Sequence, residues 1–264
     1  MEEEIREVMR IIDKVDLDSL FAYEEIFATF MYFNQFSFPS YRLESGSLLW
    51  RTRNNENKPF ENFSDLSCPD SSLIHKYSRA NKPHQNMFYL SDYYDTTFME
   101  LMPSWSGETQ INGTFEITLS TWELKSDLFV MCIPEKSNPD FTNVFKKKFT
   151  ESEIKFLNWI TDKFLANTIK EPNVYKFTSA LCNVFLTRQT NQKIWGTLYP
   201  SVHKRNEIGK GINIALIPEA CDFFELKQVF RQKIRKTGER EWNNFEEPVK
   251  ATLNHDTQQI IWNN

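Results

Sequence analysis

Phenylalanine is the feature that most constrains the fold of this chain. The sequence contains 23 Phe among 264 residues, aromatic residues make up 15% of it, and only 7 Gly are present. Large aromatic side chains favour a folded state in which they are buried against other apolar groups. A chain of this length can bury such a core without metals or disulfides, in one large domain or two small ones.

The balance of charge limits the class of partner. The formal net charge is -5 at pH 7. Binding to nucleic acid through phosphate neutralisation needs clustered Lys and Arg. Two basic runs occur, at 146–148 and 231–240, and each is interpreted as a solvated face. We therefore expect no nucleic-acid partner.

The cysteine and histidine residues are too widely separated in sequence to indicate a metal site. The 4 Cys and 4 His stand singly along the chain, without a CxxC pair or zinc-type spacing. We expect reduced thiols and no metal. The acidic N-terminus lacks the apolar segment of a secretion signal, and no run of roughly 18 apolar residues could cross a bilayer. These patterns predict a cytoplasmic protein with no membrane partner.

Hydrophobic periodicity predicts an α+β fold in which helices flank a core of strands. The clearest helix spans 150–170, where Thr150 and Glu153 form a capping box ahead of an apolar face. Another helix is predicted over 97–102, with Pro103 kinking or ending it. The other predicted segments are helices over 2–33 and 175–186, a linker over 36–47, strands over 48–53, 86–90, 114–119, 128–133 and 213–217, a polar loop over 54–72, and a hairpin over 252–262.

Common catalytic and binding motifs do not occur in the sequence. Gly209-Lys210-Gly211 has neither the dinucleotide-loop nor the phosphate-loop spacing, and no GxSxG, HExxH or EF-hand pattern is found. Ser201 and His203 could suggest a hydrolytic triad. Two such residues among 264 positions are close to chance expectation, so this interpretation is set aside.

Several short segments, taken in order, form the most specific pattern in the chain. Tyr77-Ser78-Arg79-Ala80-Asn81-Lys82-Pro83 is followed by Tyr89 on a predicted strand and Glu100 on a predicted helix, at spacings of ten and eleven residues. Trp195-Gly196-Thr197-Leu198-Tyr199-Pro200-Ser201 comes later, followed by Asn213–Pro218, and Leu49-Trp50-Arg51 lies upstream. This ordered set resembles the RES domain, a family named after an Arg, a Glu and a Ser. The resemblance is clearest over 48–218.

The resemblance implies a fold like that of ADP-ribosyltransferases and an action on NAD⁺. It divides the chain into an N-terminal helical extension, 1–45, and an NAD-binding catalytic domain, 46–264. RES proteins are often toxins of toxin–antitoxin pairs, so an antitoxin protein is the partner it suggests. The chain departs from the short toxins in its N-terminal extension, a longer loop before Arg79 and an extra C-terminal segment. Ser78 and His84 also replace two frequent glycines.

The resemblance also implies roles for individual residues. Glu100 would stabilise the oxocarbenium-like transition state, and Arg79 with Arg51 would bind the diphosphate through bidentate forks. Tyr89 would stack on the nicotinamide ring. Ser201 would hydrogen-bond either a phosphate or the nicotinamide amide. Tyr199 and Asn213 either line this pocket or support it, and no metal is expected to take part.

Three functions are compatible with this pattern. Cleavage of the nicotinamide–ribose bond, by a glycohydrolase or a phosphorylase, is favoured. An ADP-ribosyltransferase acting on a macromolecule is the first alternative, although Phe98 occupies the position two before Glu100, where transferases to protein side chains often carry Glu or Gln. A non-catalytic module that binds NAD⁺ or a partner is the second. A DNA-binding antitoxin would need a basic recognition helix, which is not evident.

Overall fold

The computed structural model describes residues 1–33, 36–55, 58–106, 111–134, 148–166, 171–188, 191–202, 211–238 and 241–262, with the backbone alone over 102–106. Most of the basic run 146–148, His203 and the Gly209-Lys210 pair lie outside the described residues. The helices are α1 (Glu2–Ile12), α2 (Ala22–Tyr32), α3 (Phe63–Leu66), α4 (Tyr94–Ser106), α5 (Glu151–Phe164) and α6 (Val174–Thr187), with short 3-10 helices at Ser71–Leu73 and Pro218–Phe223.

One large sheet forms the centre of the molecule. Its strands are β1 (Ser40–Leu43), β2 (Leu48–Asn54), β3 (Phe88–Ser91), β4 (Thr114–Leu124), β5 (Leu128–Cys132), β6 (Gly196–Pro200), β7 (Ile212–Leu216), β8 (Phe224–Gly238), β9 (Glu241–Asn244), β10 (Val249–Asn254) and β11 (Gln259–Trp262). Their order is β1-β5-β6-β7-β3-β2-β4-β8-β10-β11, and β9 pairs with β8. The pairings are antiparallel except that of β5 with β6, which is parallel.

Alternation along the central strands sends side chains into two separate cores. We call the first the helical-face core, because α1, α2, α5 and α6 cover it; Phe30, Phe156 and Phe177 are fully buried there. The second core lies on the opposite face, beneath α3, the 3-10 helix Pro218–Phe223 and the β10–β11 hairpin. The abundance of Phe is thus used to fill both faces of the sheet.

The predicted α+β class is confirmed, and so are several elements. The capping box of α5 is present: Thr150 N donates to Glu153 Oε2 at 2.7 Å and Glu153 N donates to Thr150 Oγ1 at 3.4 Å. The C-terminal hairpin forms as β10 and β11. Within the part of the chain that the structure describes, no helix is both long enough and apolar enough to span a bilayer.

Other elements differ from their predictions for physical reasons. The N-terminal helix predicted over 2–33 is two helices, because the chain turns between Ile12 and Ala22 to lay both against the same core. Of the two effects predicted for Pro103, a kink or an end of the helix, the second does not occur, because α4 continues to Ser106. Part of the predicted linker is strand β1. The basic run from Arg231 belongs to the long strand β8, whose side chains there are mostly half-buried rather than a solvated face.

Candidate functional site

A row of facing residues crosses four adjacent strands at the centre of the sheet. Tyr199 on β6 pairs with Asn213 on β7, Asn213 pairs with Ser91 on β3, and Ser91 pairs with Trp50 on β2. Directly paired residues project to the same face of a sheet. Tyr89 stands two residues before Ser91 and therefore shares this face. The side chains of Tyr89, Ser91, Tyr199 and Asn213 therefore all lie on the side of the sheet that faces the helical-face core.

Strand β6 approaches β7 unusually closely at Gly196. A Cβ atom at this position would lie 2.0 Å from the carbonyl oxygen of Ala215, which no side chain could tolerate. At the other end of β6, Ser201 N donates to Gly211 O at 2.6 Å. Strand β6 therefore places Ser201, the residue that follows it, at a defined position beside β7.

Glu100 is held by side chains from two strands. Its Oε1 accepts hydrogen bonds from Ser201 Oγ at 2.5 Å and from Asn213 Nδ2 at 2.8 Å. The other end of the Asn213 amide, Oδ1, accepts from Ser91 Oγ at 2.7 Å. The network thus links α4 to β3, β6 and β7. The structure brings the predicted residues Glu100 and Ser201 into direct contact.

Helix α4 is itself fixed to the sheet near its N-terminus. Thr97 Oγ1 accepts a hydrogen bond from Thr52 N on β2 at 2.9 Å, and Asp92 Oδ1 accepts one from Ile212 N on β7 at 3.0 Å. Burial raises the pKa of the Asp92 carboxyl, and the backbone hydrogen bonds oppose that rise. Thr97 precedes Glu100 by about one helical turn, so these anchors determine where Glu100 meets the strands.

Tyr89 is anchored through its hydroxyl group. The hydroxyl donates to Asn81 Oδ1 at 2.6 Å and accepts from Ala80 N at 3.2 Å. Burial raises the pKa of this phenol well above its ordinary value. The Arg79–Asn81 segment and β3 are therefore joined through the ring that was predicted to contact nicotinamide.

Arg79 lies at the C-terminal end of α5. Its side chain is buried, its Nη1 donates to the carbonyl oxygen of Phe164, and its guanidinium carbon lies 5.3 Å from the centre of the Tyr175 ring. Carbonyl groups at a helix C-terminus carry partial negative charge, and aromatic faces attract cations. The cation is therefore stabilised without a carboxylate partner among these contacts.

Tyr199 connects Arg79 with the Glu100 network. The side chain is buried and its ring centre lies 5.6 Å from that of Phe164. Burial raises the pKa of Tyr199 most, the neighbouring Tyr89 and Glu100 raise it further, and the positive charge of Arg79 lowers it. These four side chains therefore act on one another electrostatically. Together with Ser201 and Asn213, which bind Glu100, they form what we call the Glu100 cluster: Arg79, Tyr89, Glu100, Tyr199, Ser201 and Asn213.

Arg51 is not brought into the Glu100 cluster. Because side chains alternate along β2, it projects to the second core, where its guanidinium donates to Tyr89 O at 2.9 Å and lies 5.5 Å from the centre of the Phe88 ring. Burial there lowers the pKa of Arg51 to about 10. Arg53 shares that face and donates to Asp65 O. The structure therefore places Arg79 and Arg51, both predicted to bind the diphosphate, on opposite faces of the sheet.

Sequence reasoning left the roles of Tyr199 and Asn213 open and gave none to Asn81 or Ser91. The structure shows Asn213 in contact with the carboxylate and Asn81 in contact with Tyr89. Alternation could have indicated Ser91, since it stands two residues after Tyr89 on the same strand. No comparable signal marks Asn213, because its partner strand is distant in sequence.

The Glu100 cluster combines a positioned carboxylate, a buried guanidinium and two phenols that adjoin the helical-face core. Such a site suits a ligand with an anionic part for the guanidinium and a reacting centre that gains positive charge beside the carboxylate. Within the described part of the chain, no three or more His, Cys, Asp or Glu side chains are grouped so as to hold a metal ion.

Comparison with known proteins gives one family and one distant structural neighbour. The family model of the RES domain matches residues 48–237. No curated protein sequence matches the chain. The crystal structure of the M. tuberculosis MbcT–MbcA toxin–antitoxin complex contains a similar chain, with 12% sequence identity, a TM-score of 0.38, and coverage of 71% of this chain and 85% of that one.

Proposed function

Because the chain belongs to the RES domain family, we propose that it consumes NAD⁺ by breaking the bond between nicotinamide and ribose. The observation that carries the proposal is the position of Glu100, whose Oε1 is held by Ser201 and Asn213. A carboxylate fixed in this way can act on charge that develops during a reaction.

The chemistry of NAD⁺ needs only one such carboxylate. Nicotinamide is bound to ribose through a positively charged ring nitrogen and leaves as a neutral molecule, so no acid has to protonate it. Glycosidases, in contrast, pair an acid with a second carboxylate. As the bond breaks, the ribose gains oxocarbenium character, and a well-placed carboxylate contributes on the order of 3–4 kcal/mol to lowering such a barrier.

Ser201 and Asn213 act as positioning residues in this proposal. They bind the same carboxylate oxygen from two strands, which restricts the orientation of the Glu100 side chain. The other oxygen, Oε2, would accept a hydrogen bond from a ribose hydroxyl. Preorganisation of this kind removes the need to reorient the carboxylate as the charge appears.

Arg79 and Tyr89 would bind the rest of the dinucleotide. A guanidinium presents five N–H donors in a fixed fork, and the bond to Phe164 O engages only Nη1. The remaining donors suit the diphosphate. Tyr89, which is half-buried, offers aromatic surface for the nicotinamide ring, while the buried Tyr199 supports the site from the core. Arg51 is left out of this binding role, because its guanidinium faces the second core.

The surroundings of Phe98 favour cleavage over transfer to a protein. Phe98 precedes Glu100 by two positions but lines a separate cavity of about 200 Å³, together with Thr52 and residues of β4 and β8. A polar side chain that orients a macromolecular acceptor would have to stand beside Glu100 instead. Water or phosphate is therefore the proposed acceptor, which makes the protein a glycohydrolase or a phosphorylase.

An enzyme of this kind would act on the NAD⁺ pool of the cytoplasm. That setting agrees with the toxin role, and with the antitoxin partner, that the family resemblance suggests. Induced synthesis of the chain in a bacterial host should lower cellular NAD⁺ and stop growth, whereas normal growth and unchanged NAD⁺ would contradict a toxin role.

Analysis of the products tests the reaction class. We expect the purified chain to release nicotinamide from NAD⁺, with free ADP-ribose as the second product in water and an ADP-ribose phosphate in phosphate buffer if phosphate is the acceptor. Labelled protein bands in a lysate supplied with labelled NAD⁺ would favour the transferase alternative. NAD⁺ binding without nicotinamide release would identify the non-catalytic module.

A further inference from the structure

Two cysteines meet on the face of the sheet opposite the Glu100 cluster. Cys68 follows α3, and Cys221 lies in the 3-10 helix Pro218–Phe223; both are half-buried against the second core. Their thiols form a hydrogen bond with each other. The other two cysteines, Cys132 and Cys182, are 1% and 0% exposed.

The buried guanidinium of Arg51 lies close enough to act on both thiols. Its Nε has no hydrogen-bond partner among the described residues, and the Tyr89 carbonyl and the Phe88 ring that it contacts are uncharged. A buried cation of this kind favours a nearby anion. The thiol pair can supply that anion as a thiolate.

Hydrogen bonds decide which of the two thiols ionises. The bond from Cys68 lowers the pKa of the Cys221 thiol, burial opposes this, and bonds from Ser67 and Cys68 backbone together with the charge of Arg51 lower it further. The same thiol–thiol bond raises the pKa of Cys68. The thiolate form is therefore favoured at Cys221, and Cys68 is the thiol that donates to it. The thiolate is the nucleophilic form of cysteine.

Solvent reaches the pair from the surface of the second core. Cys221 lines an open cavity of about 460 Å³, together with Ser67 and His255. Among the described residues, the charged groups that act electrostatically on the two thiols are Arg51 and Glu219. The titratable groups that line the cavity beside Cys221 are Asp222, Glu225 and His255. A small molecule can thus approach Cys221, whereas Cys132 and Cys182 are enclosed.

We propose that Cys68 and Cys221 form a redox-sensitive pair that a small disulfide, such as oxidised glutathione, converts into an intramolecular disulfide bond. The Cys221 thiolate attacks one sulfur of the glutathione disulfide, forms a mixed disulfide and releases one glutathione thiolate. Cys68 then loses its proton to solvent and attacks the Cys221 sulfur, which releases the second glutathione. The protein is oxidised by two electrons and the glutathione disulfide is reduced by two.

The new bond would join distant parts of the chain without touching the Glu100 cluster. Cys68 and Cys221 are more than 150 residues apart in sequence. The bridge would tie the end of α3 to the segment that follows β7, the strand that carries Asn213. A disulfide that closes a long loop stabilises the native state by restricting the unfolded chain. This inference does not depend on the proposed NAD⁺ activity.

Oxidation of the full-length native protein tests the pair. After incubation with oxidised glutathione, we expect two of the 4 thiols to disappear and a single cross-linked peptide pair to contain Cys68 and Cys221. Dithiothreitol should restore all of the thiols. The midpoint of thermal unfolding should rise by roughly 5–10 °C in the oxidised form, as expected for a disulfide in a protein of this size.

The two single variants serve as matched controls. Cys68→Ser should trap one glutathione on Cys221, because the resolving thiol is missing, while Cys221→Ser should leave Cys68 free of glutathione. Retention of every thiol in the wild-type chain, a glutathione adduct without a bridge, or a bridge to another cysteine would each overturn the proposal. If either variant fails to fold, the peptide map of the wild-type protein alone decides.

Discussion

Among the described residues, Glu100 receives two hydrogen bonds, both on Oε1, from Ser201 just after β6 and from Asn213 on β7. Loss of the Ser201 hydroxyl would remove one of these two restraints, so the carboxylate could rotate away from the ribose. We predict that Ser201→Ala lowers kcat for nicotinamide release by about tenfold to a hundredfold, since displacements of about 1 Å can cost that much. KM should change less than threefold. Steady-state kinetics measure both, and an unchanged kcat would remove Ser201 from the positioning role.

Arg79 has a structural task as well as its proposed binding role, because it satisfies the carbonyl oxygen of Phe164. Arg79→Ala would leave that buried acceptor unpaired, at a cost of about 1–3 kcal/mol in the free energy of unfolding. The variant should therefore melt several degrees lower without ligand. Its melting temperature should also no longer rise when NAD⁺ is added, as the wild-type value should. A ligand-induced rise equal to that of the wild type would separate Arg79 from the site.

At the scale of the strands, Gly196 controls how β6 lies on β7. A methyl group there would meet Ala215 O, which belongs to the backbone and cannot move aside cheaply. We predict that Gly196→Ala lowers the free energy of unfolding by about 3 kcal/mol or more, the upper range for overpacking. Chemical denaturation measures this loss.

Gly238→Ala is the matched control for that substitution. Among the described residues, the nearest neighbour of a Cβ at Gly238 is the Glu241 side chain, with Oε2 at 3.1 Å, so the variant should stay within about 1 kcal/mol of the wild type. Equal losses in the two variants would show that the close approach at Gly196 has no special cost.

The elements that the sequence predicts best are those with a local signal. The α5 capping box and the β10–β11 hairpin depend on neighbouring residues, and both form as predicted. Strand β8 carries too many charged residues for a periodic signal, and its long pairing with β4 decides its structure. The side of the sheet on which Arg51 lies also depends on strand pairing. Alternation along β2 shows which of its residues share a face, but it does not show which of the two faces packs against α4.

At the scale of the whole molecule, the N-terminal helices share a core with the Glu100 cluster. Ile26 and Phe30 of α2 are fully buried in the helical-face core, where the Phe30 ring meets Phe177 at 5.7 Å in an edge-to-face arrangement. The same core packs against Tyr89 and contains Tyr199. The helices within the predicted extension 1–45 therefore pack into the same core as Tyr199.

Phe30→Ala should reveal this shared core. Removal of a fully buried Phe side chain costs about 3–5 kcal/mol, which corresponds to a fall of about 10 °C in the melting temperature of a protein of this size. Phe21→Ala, at a position that is 67% exposed, is the control and should leave the melting temperature unchanged. Calorimetry compares the two variants. Equal melting temperatures would mean that α2 is dispensable for the stability of the core.

Release of nicotinamide from NAD⁺ by the Glu100→Gln variant tests the central claim most directly. The amide keeps the shape of the side chain but removes its negative charge, so the developing positive charge on the ribose loses its stabilising partner. We predict that the rate falls by about 10²–10³-fold, while Glu247→Gln, at an exposed position, retains the wild-type rate. No nicotinamide release by the wild type, or equal release by Glu100→Gln, would contradict the account.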